Sequence, residues 1–335
     1  MDWGLFIEWV IKSIIIIVVL LAGFAYLTLL ERRLLAKFQV RIGPNRAGPQ
    51  GILQPVADGI KLIFKEELVP DEVDKVLYHL SPVIMVVPTL IILAVAPFGP
   101  TMEIFGREIT FGLAPDVNVG VLWLMAVSSI AVYGVIVAGW SSHSKYPLLG
   151  GIRASAQMVS YELALGLSFL GPVLITGSLS MQAITEAQQT IPFIVLQPVA
   201  FIIFWLAGSA EINRAPFELM EAEQELTGGY HTEYSGMKFA MFFMAEYVKI
   251  IVLAVIGTIL FLGGYWGPFV NQVPILGPVY FVIKAVMIIV MLIWIRATYP
   301  RIRYDQLMDM GWKVLLPLAL LNVVVTAVVI VAVGG

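Results

Sequence analysis

Apolar residues in this chain come in long unbroken runs, at about residues 10–30, 80–98, 118–139, 154–176, 191–210, 237–262, 273–295 and 312–333. Each run is close to the roughly 20 residues that a helix needs to cross a bilayer. Eight runs predict eight transmembrane helices, which puts both termini on one side. The first run is too long for a cleavable signal, lacks a small-residue cleavage site and follows acids rather than bases, so it reads as a span. The fold class is an all-α integral membrane protein, with residues 1–335 forming a single polytopic membrane domain.

Two connecting segments carry a pattern of their own. Arg41-Ile42-Gly43-Pro44-Asn45-Arg46-Ala47-Gly48-Pro49 is too rich in turn residues to be regular helix. After it, Ile52, Leu53, Val56, Ile60, Ile63 and Phe64 share one helical face, while Gln54, Asp58, Lys61 and Lys65 lie off it. Segment 51–66 therefore reads as an amphipathic helix in the membrane interface, or as a loop helix packed on the protein. Glu103–Phe111 alternates like a strand around Phe105-Gly106-Arg107 and predicts a small hairpin. No inverted repeat of the transporter kind is visible.

Composition narrows the function. Of 335 residues 59% are hydrophobic and 13% charged, against roughly 45–50% and 25% in soluble proteins; the mean hydropathy is +0.91. The chain has no cysteine, which excludes cysteine-held iron–sulfur clusters, zinc–thiolate sites and disulfides. His79, His143 and His231 lie outside the apolar runs, so an intramembrane bis-histidine haem is not expected. There is no phosphate-binding GxxxxGK[ST] loop, no metal-ligand cluster, and a net charge of −3 gives no footprint for nucleic acid. Electrons for any redox chemistry must reach the chain from elsewhere.

Lysine and arginine set the orientation. Sixteen of the 20 basic residues fall in or beside loops 31–80, 140–153, 211–236 and 296–311. Only Lys12 and Arg107 lie on the other side, and Lys249 and Lys284 lie within spans. The four loops are therefore expected in the cytoplasm and both termini outside. Trp3, Trp9, Trp140, Trp266 and Trp312 stand near span ends, as interfacial aromatics do.

Several charges stand where charge is costly. Glu162 is about eight residues into the fourth run and Glu246 about nine into the sixth. An intramembrane carboxylate costs roughly 2.5–3.5 kcal/mol or more and marks a functional candidate, with a hydrogen-bonded helix pin as the structural alternative. Lys249 is one turn after Glu246, which makes either a neutral ion pair or a proton site with a tuned carboxyl. Lys284 has no local partner. Glu211 closes the fifth run, so Glu211, Glu162 and Glu246 descend from the surface toward the midplane, as carboxylates of a proton pathway would. Residues 211–233 carry a net charge of −5, and Glu218, Glu221 and Glu225 would share a helical face. Crowded carboxylates cannot all ionise cheaply; a solvated face or a docking surface for a basic partner would carry the same charge.

Those acids lie in longer motifs. Ala210-Glu211-Ile212-Asn213-Arg214-Ala215-Pro216-Phe217-Glu218 continues through Glu221-Ala222-Glu223-Gln224-Glu225 to Gly229-Tyr230-His231-Thr232-Glu233-Tyr234. Further motifs are Glu31-Arg32-Arg33, Gly43-Pro44-Asn45, Leu53-Gln54-Pro55-Val56-Ala57-Asp58, Ser160-Tyr161-Glu162, Ile295-Arg296-Ala297 and Pro300-Arg301-Ile302-Arg303-Tyr304-Asp305-Gln306. Together they resemble the H subunit of the proton-pumping NADH–quinone oxidoreductases, respiratory complex I, whose mitochondrial counterpart is NADH dehydrogenase subunit 1. The resemblance runs from the first span to the last.

It implies a non-redox-centre subunit at the joint of membrane and peripheral arms, in a bacterial inner membrane, with ubiquinone or menaquinone as substrate. NADH, FMN and iron–sulfur clusters would belong to partner subunits. It implies proton transfer through Glu162, Glu211, Glu246 and Lys249, an acidic coupling loop with Glu218, Glu221, Glu223 and Glu225, and a quinone tunnel bordered by Glu31, Arg32, Asp58, Arg214 and Phe217. Some members carry a carboxylate in the third span. Here Val119–Trp140 has none, which leaves water or the hydroxyls of Ser128, Ser129 and Tyr133. Two alternatives remain open: the related anchor subunit of a membrane-bound hydrogenase or formate-linked complex without quinone, and a stand-alone ion-coupled transporter.

Overall fold

The computed structural model describes residues 3–104, 107–218 and 228–334. Its helices are α1 (Trp3–Phe38), α2 (Gln54–Phe64), α3 (Lys75–Ile91), α4 (Gly120–Ser141), α5 (Lys145–Thr176), α6 (Met181–Ala187), α7 (Phe193–Leu196), α8 (Pro198–Glu211), α9 (Gly236–Phe261), α10 (Leu276–Thr298), α11 (Tyr304–Asp309) and α12 (Leu316–Gly334). A π-helical turn, Met310–Leu315, joins α11 to α12. A hairpin pairs β1 (Gly99–Ile104) antiparallel to β2 (Arg107–Phe111), where the alternating sequence predicts it.

Seven helical segments among the described residues are long and apolar enough to cross a bilayer. The eighth predicted span, run 191–210, differs. It is two helices broken at Gln197, because Pro198 disfavours helical geometry at the residue before it (Gln197 φ −130°, ψ 54°). The remaining 14 residues of α8 measure about 21 Å, short of a roughly 30 Å hydrocarbon core. Helices also outrun their apolar stretches at the basic end. α1 continues to Phe38, so Glu31, Arg32, Arg33 and Lys37 ride on its last turns, and α5 begins at Lys145, so the connection after α4 is a few residues long.

Polar contacts sort the connections into two ends. The basic segments meet one another: the Asp74 amide donates to the Ser141 carbonyl, the Leu68 amide to Ser235 Oγ, the Ile302 amide to the Pro216 carbonyl and the Tyr78 hydroxyl to the Glu233 carbonyl. At the opposite end Lys12 donates to Thr110, the Val121 amide to the Leu179 carbonyl and Gln189 to Asn271. α5 runs through the centre and packs against α4 and α8, with Ala164, Ala200, Ile203, Phe204, Ala207 and Ile259 fully buried between the central helices. Gly150 on α5 lets the backbone at Gly229 dock on it: a Cβ there would stand 2.8 Å from the Gly229 Cα. The outer faces of α1 and α12 stay apolar and uncovered, as do Trp9 and Trp140 near helix ends.

Candidate functional site

The site is built around the turn that ends α8. Asn213 takes a left-handed conformation (φ 54°) and Pro216 follows, so the helix stops at Glu211. Gln157 of α5 clamps the turn, donating to the Ala210 carbonyl at 2.8 Å and the Phe217 carbonyl at 2.9 Å. Phe217 packs 2% exposed against Tyr161. The result is that the Arg214 side chain is carried inward among α1, α9 and α10.

There it meets opposite charges. Arg214 Nη1 lies 3.3 Å from Glu31 Oε1, and Arg214 Nε 3.2 Å from Glu246 Oε1. The guanidinium sits 4.4 Å over the Tyr247 ring. Arg296 also pairs with Glu31, and its Nη2 reaches Glu218 Oε1 at 3.4 Å. Arg301 Nη2 lies 3.3 Å from Glu218 Oε2. Three carboxylates thus face three guanidiniums. Burial pulls the Arg214 guanidinium down, but Glu246 and Glu31 together hold it above its usual value, so it stays charged. Glu246 therefore takes its charge partner, Arg214, from another element, where the sequence spacing offers Lys249. Glu218 is pinned by arginines. Glu221, Glu223 and Glu225 lie outside the described residues.

One turn inward from Glu246, Lys249 turns to a different neighbourhood. Lys249, Glu162 and Glu211 line one cavity of about 50 Å³, with Ser128 and Thr89. The volume is enough for a small number of water molecules, and the lining offers them polar partners. Ser129 of α4 contacts Glu162 and also reaches the Met125 carbonyl at 2.9 Å. Tyr133, the third hydroxyl expected on the route, is instead 62% exposed on the outer face of α4. Lys284 is not in the lining of this cavity and sits on the carbonyls of Leu262, Gly264 and Trp266.

At the surface, Arg32 Nη1 joins Asp58 Oδ2 at 2.8 Å, which ties α2 to the end of α1 next to Glu31. No residue of α2 is buried, and Val56, Ile60, Ile63 and Phe64 leave its apolar face uncovered. Among the described residues no cluster of metal-ligating side chains occurs.

Comparison with known proteins places the chain in a family. The family model described as NADH dehydrogenase matches residues 11–327. One of the NADH-quinone oxidoreductase H subunits of Geobacter metallireducens is 48% identical, over 97% of this chain and 96% of the relative. The H subunit of Protochlamydia amoebophila is 52% identical, over 90% and 91%. The chain belongs to the H-subunit family of NADH–quinone oxidoreductase. The family's member in Dehalococcoides mccartyi, 47% identical over 95% of this chain and 87% of the relative, matches it as well.

The structure gathers the acids of this family member into two groups that sequence order alone does not separate: Glu31, Glu218 and Glu246 with arginines, Glu162 and Glu211 with a lysine and a cavity. Sequence reasoning misses Arg296, Arg301, Tyr247 and Gln157 as site residues. The signal available for the two arginines is their position at the end of an apolar run.

His231 reports on the segment that follows the acidic loop. It is partly buried, edge-on to Tyr230 (5.0 Å) and Phe239 (5.3 Å). Burial lowers its pKa from 6.5 to about 4. The undocked segment binds a proton more readily than the docked one, so docking is fully stable above about pH 6.5 and weakens as pH falls toward 4. Hydrogen-exchange protection of residues 228–235 is expected to drop between pH 7.5 and 5, and His231→Phe to remove that dependence. Equal loss in both proteins would show that His231 is not the group responsible.

Proposed function

We propose that this chain is the membrane-embedded H subunit of a proton-pumping NADH–quinone oxidoreductase in a bacterial inner membrane. In this reading it borders the quinone's path and couples quinone reduction to proton movement. The names of its relatives support the assembly. The observation that carries the coupling is the shared cavity of Glu162, Glu211 and Lys249, one helical turn from the Arg214–Glu246 pair.

Ion pairs and chain neighbours form one series. Arg32–Asp58 lies beside Glu31, Glu31 touches Arg214, Arg214 touches Glu246, and Lys249 follows Glu246 on α9. Reduction of a quinone to a quinol takes up two electrons and two protons. The electrons come from iron–sulfur clusters of partner subunits, which also hold FMN and the NADH site. This chain's residues bind, orient and move protons. Negative charge developing on a quinone at the basic end attracts Arg214 and Arg296. Any such pull loosens their hold on Glu31 and Glu246, and Lys249 then senses a changed carboxylate one turn away. Lys249 shares the cavity with Glu162 and Glu211, so in this reading a change at Glu246 reaches both carboxyls through Lys249 and the cavity. Ser129 has one hydroxyl proton and two acceptors in reach, the Glu162 carboxyl and the Met125 carbonyl. Glu221, Glu223 and Glu225, which follow Glu218 in sequence, add titratable charge in this scheme.

The apolar face of α2 provides the membrane side of the quinone path. A long isoprenoid tail dissolves among lipid chains, where Val56 (53% exposed) and Ile60 (51%) point outward. The hydrogenase-type alternative lacks that use for an uncovered face.

Two measurements test these assignments. In an assembled complex, Glu211→Gln keeps size and hydrogen bonding but cannot carry a proton. Quinone-linked NADH oxidation and pumping are expected to fall roughly 10²-fold, the lower range for loss of a positioned proton carrier. Normal pumping would make Glu211 a structural residue. Separately, Ile60→Trp is expected to raise KM for a long-tailed quinone several times more than for a short analogue, and equal effects would place the entrance elsewhere.

A further inference from the structure

Lys284 is the intramembrane charge that the proton and quinone reading does not use. It lies on α10, about 12 Å from the start of that helix at 1.5 Å per residue. Its ammonium donates to the carbonyls of Leu262 at 2.6 Å, Gly264 at 3.1 Å and Trp266 at 2.6 Å. An ammonium has three protons, and three carbonyls take them.

The carbonyls converge because of how α9 ends. The last carbonyls of any helix have no partner inside it. After Phe261 the chain turns through Gly263 (φ 75°) and Gly264 (φ 52°), left-handed positions open to glycine without strain. A Cβ on Gly264 would also come within 2.5 Å of Thr185 Cγ2. That turn aims the oxygens of alternate residues at one point. The other polar groups of the turn are paired: Gln188, just past α6, accepts from the Gly263 amide at 2.9 Å through Oε1 and donates to the Ile259 carbonyl at 2.7 Å through Nε2, the Gly264 amide donates to the Thr258 carbonyl and the Trp266 amide to the Gly263 carbonyl. What remains is a ring of main-chain oxygens at the negative end of a helix dipole, the surroundings that suit a cation.

We propose that residues 262–266 form a carbonyl cradle for a monovalent cation, filled by the chain's own Lys284, and that this tethered cation fixes the depth of α9. Glu246 and Lys249 ride on the same helix, with Lys249 about 20 Å from the cradle. An axial slip at one end moves them against Arg214 and the cavity at the other. Lys284 is in this sense a positioning residue. Its effect on turnover rests on the proton reading of Glu246 and Lys249, whereas occupancy of the cradle does not.

Lys284→Ala leaves the cradle empty and opens a channel the length of propylammonium. Lys284→Met fills that channel with an uncharged chain. Both variants of the complete complex are compared in detergent, where amines cannot act as uncouplers, with propylammonium chloride against equal sodium chloride. Lys284→Ala is expected to lose about tenfold in NADH–quinone turnover, the effect of roughly one lost charge-assisted hydrogen bond. Propylammonium is expected to raise its Tm and restore most of the turnover, and to do neither for Lys284→Met. If Lys284→Ala does not assemble, propylammonium in the growth medium must restore assembly, and failure there overturns the cradle. Wild-type behaviour of Lys284→Ala, or equal rescue of both variants, also overturns it. Amine-dependent melting with unchanged turnover overturns the positioning of α9. A failure of the Glu211→Gln test leaves the melting result standing, so the two readings fail separately.

Discussion

A charge withdrawn from water must find its opposite, and this requirement organises the basic end of the protein. Burying an ion costs several kcal/mol unless a partner and hydrogen bonds compensate, and removing one partner of a buried pair costs about 3–5 kcal/mol. Glu31 and Arg214 are 3% and 6% exposed, so each is a costly buried charge without the other. Their pairing brings together α1, the turn after α8, α9 and the end of α10. Gln157, Asn213 and Pro216 supply the local chemistry that delivers Arg214 to that meeting point.

The same physics separates the two groups of acids. Around Arg214 the charges are balanced and close-packed, which favours a fixed arrangement. Around Lys249 there are two carboxylates, one ammonium and room for water. In the proposed function, an unbalanced group with room for water exchanges protons, and a balanced one responds as a unit when an outside charge approaches. Placing one beside the other, linked by a single turn of α9, would in that function pass a charge event inward without a long rearrangement.

Much of this is legible in the chain. Long apolar runs specify helices whatever their neighbours, so most spans and the amphipathic α2 follow from spacing alone. Glu162, Glu211 and Lys249 stand out because charge in an apolar run needs a reason. Helical periodicity gives a face and a depth, though, not the helix opposite. Glu246 has Lys249 one turn away in sequence, yet Arg214, 32 positions earlier, holds it in space. Tyr133 has the right residue type and depth for a proton route but points away from it. The break at Gln197 is signalled by Pro198 and masked by the hydrophobicity of run 191–210. Lys284 has no partner of opposite charge to find, because its partners are main-chain oxygens that every sequence contains.

If Glu162 and Glu211 carry the coupling, they change protonation when quinone is reduced. Redox-induced infrared difference spectra of the complete complex test this directly, since a carboxylic acid carbonyl stretch reports the proton and moves in D2O. Quinone reduction is predicted to give a deuterium-sensitive carboxyl band that disappears in the Glu162→Gln, Glu211→Gln double variant. An identical band in wild type and double variant would contradict the assignment of these two carboxyls.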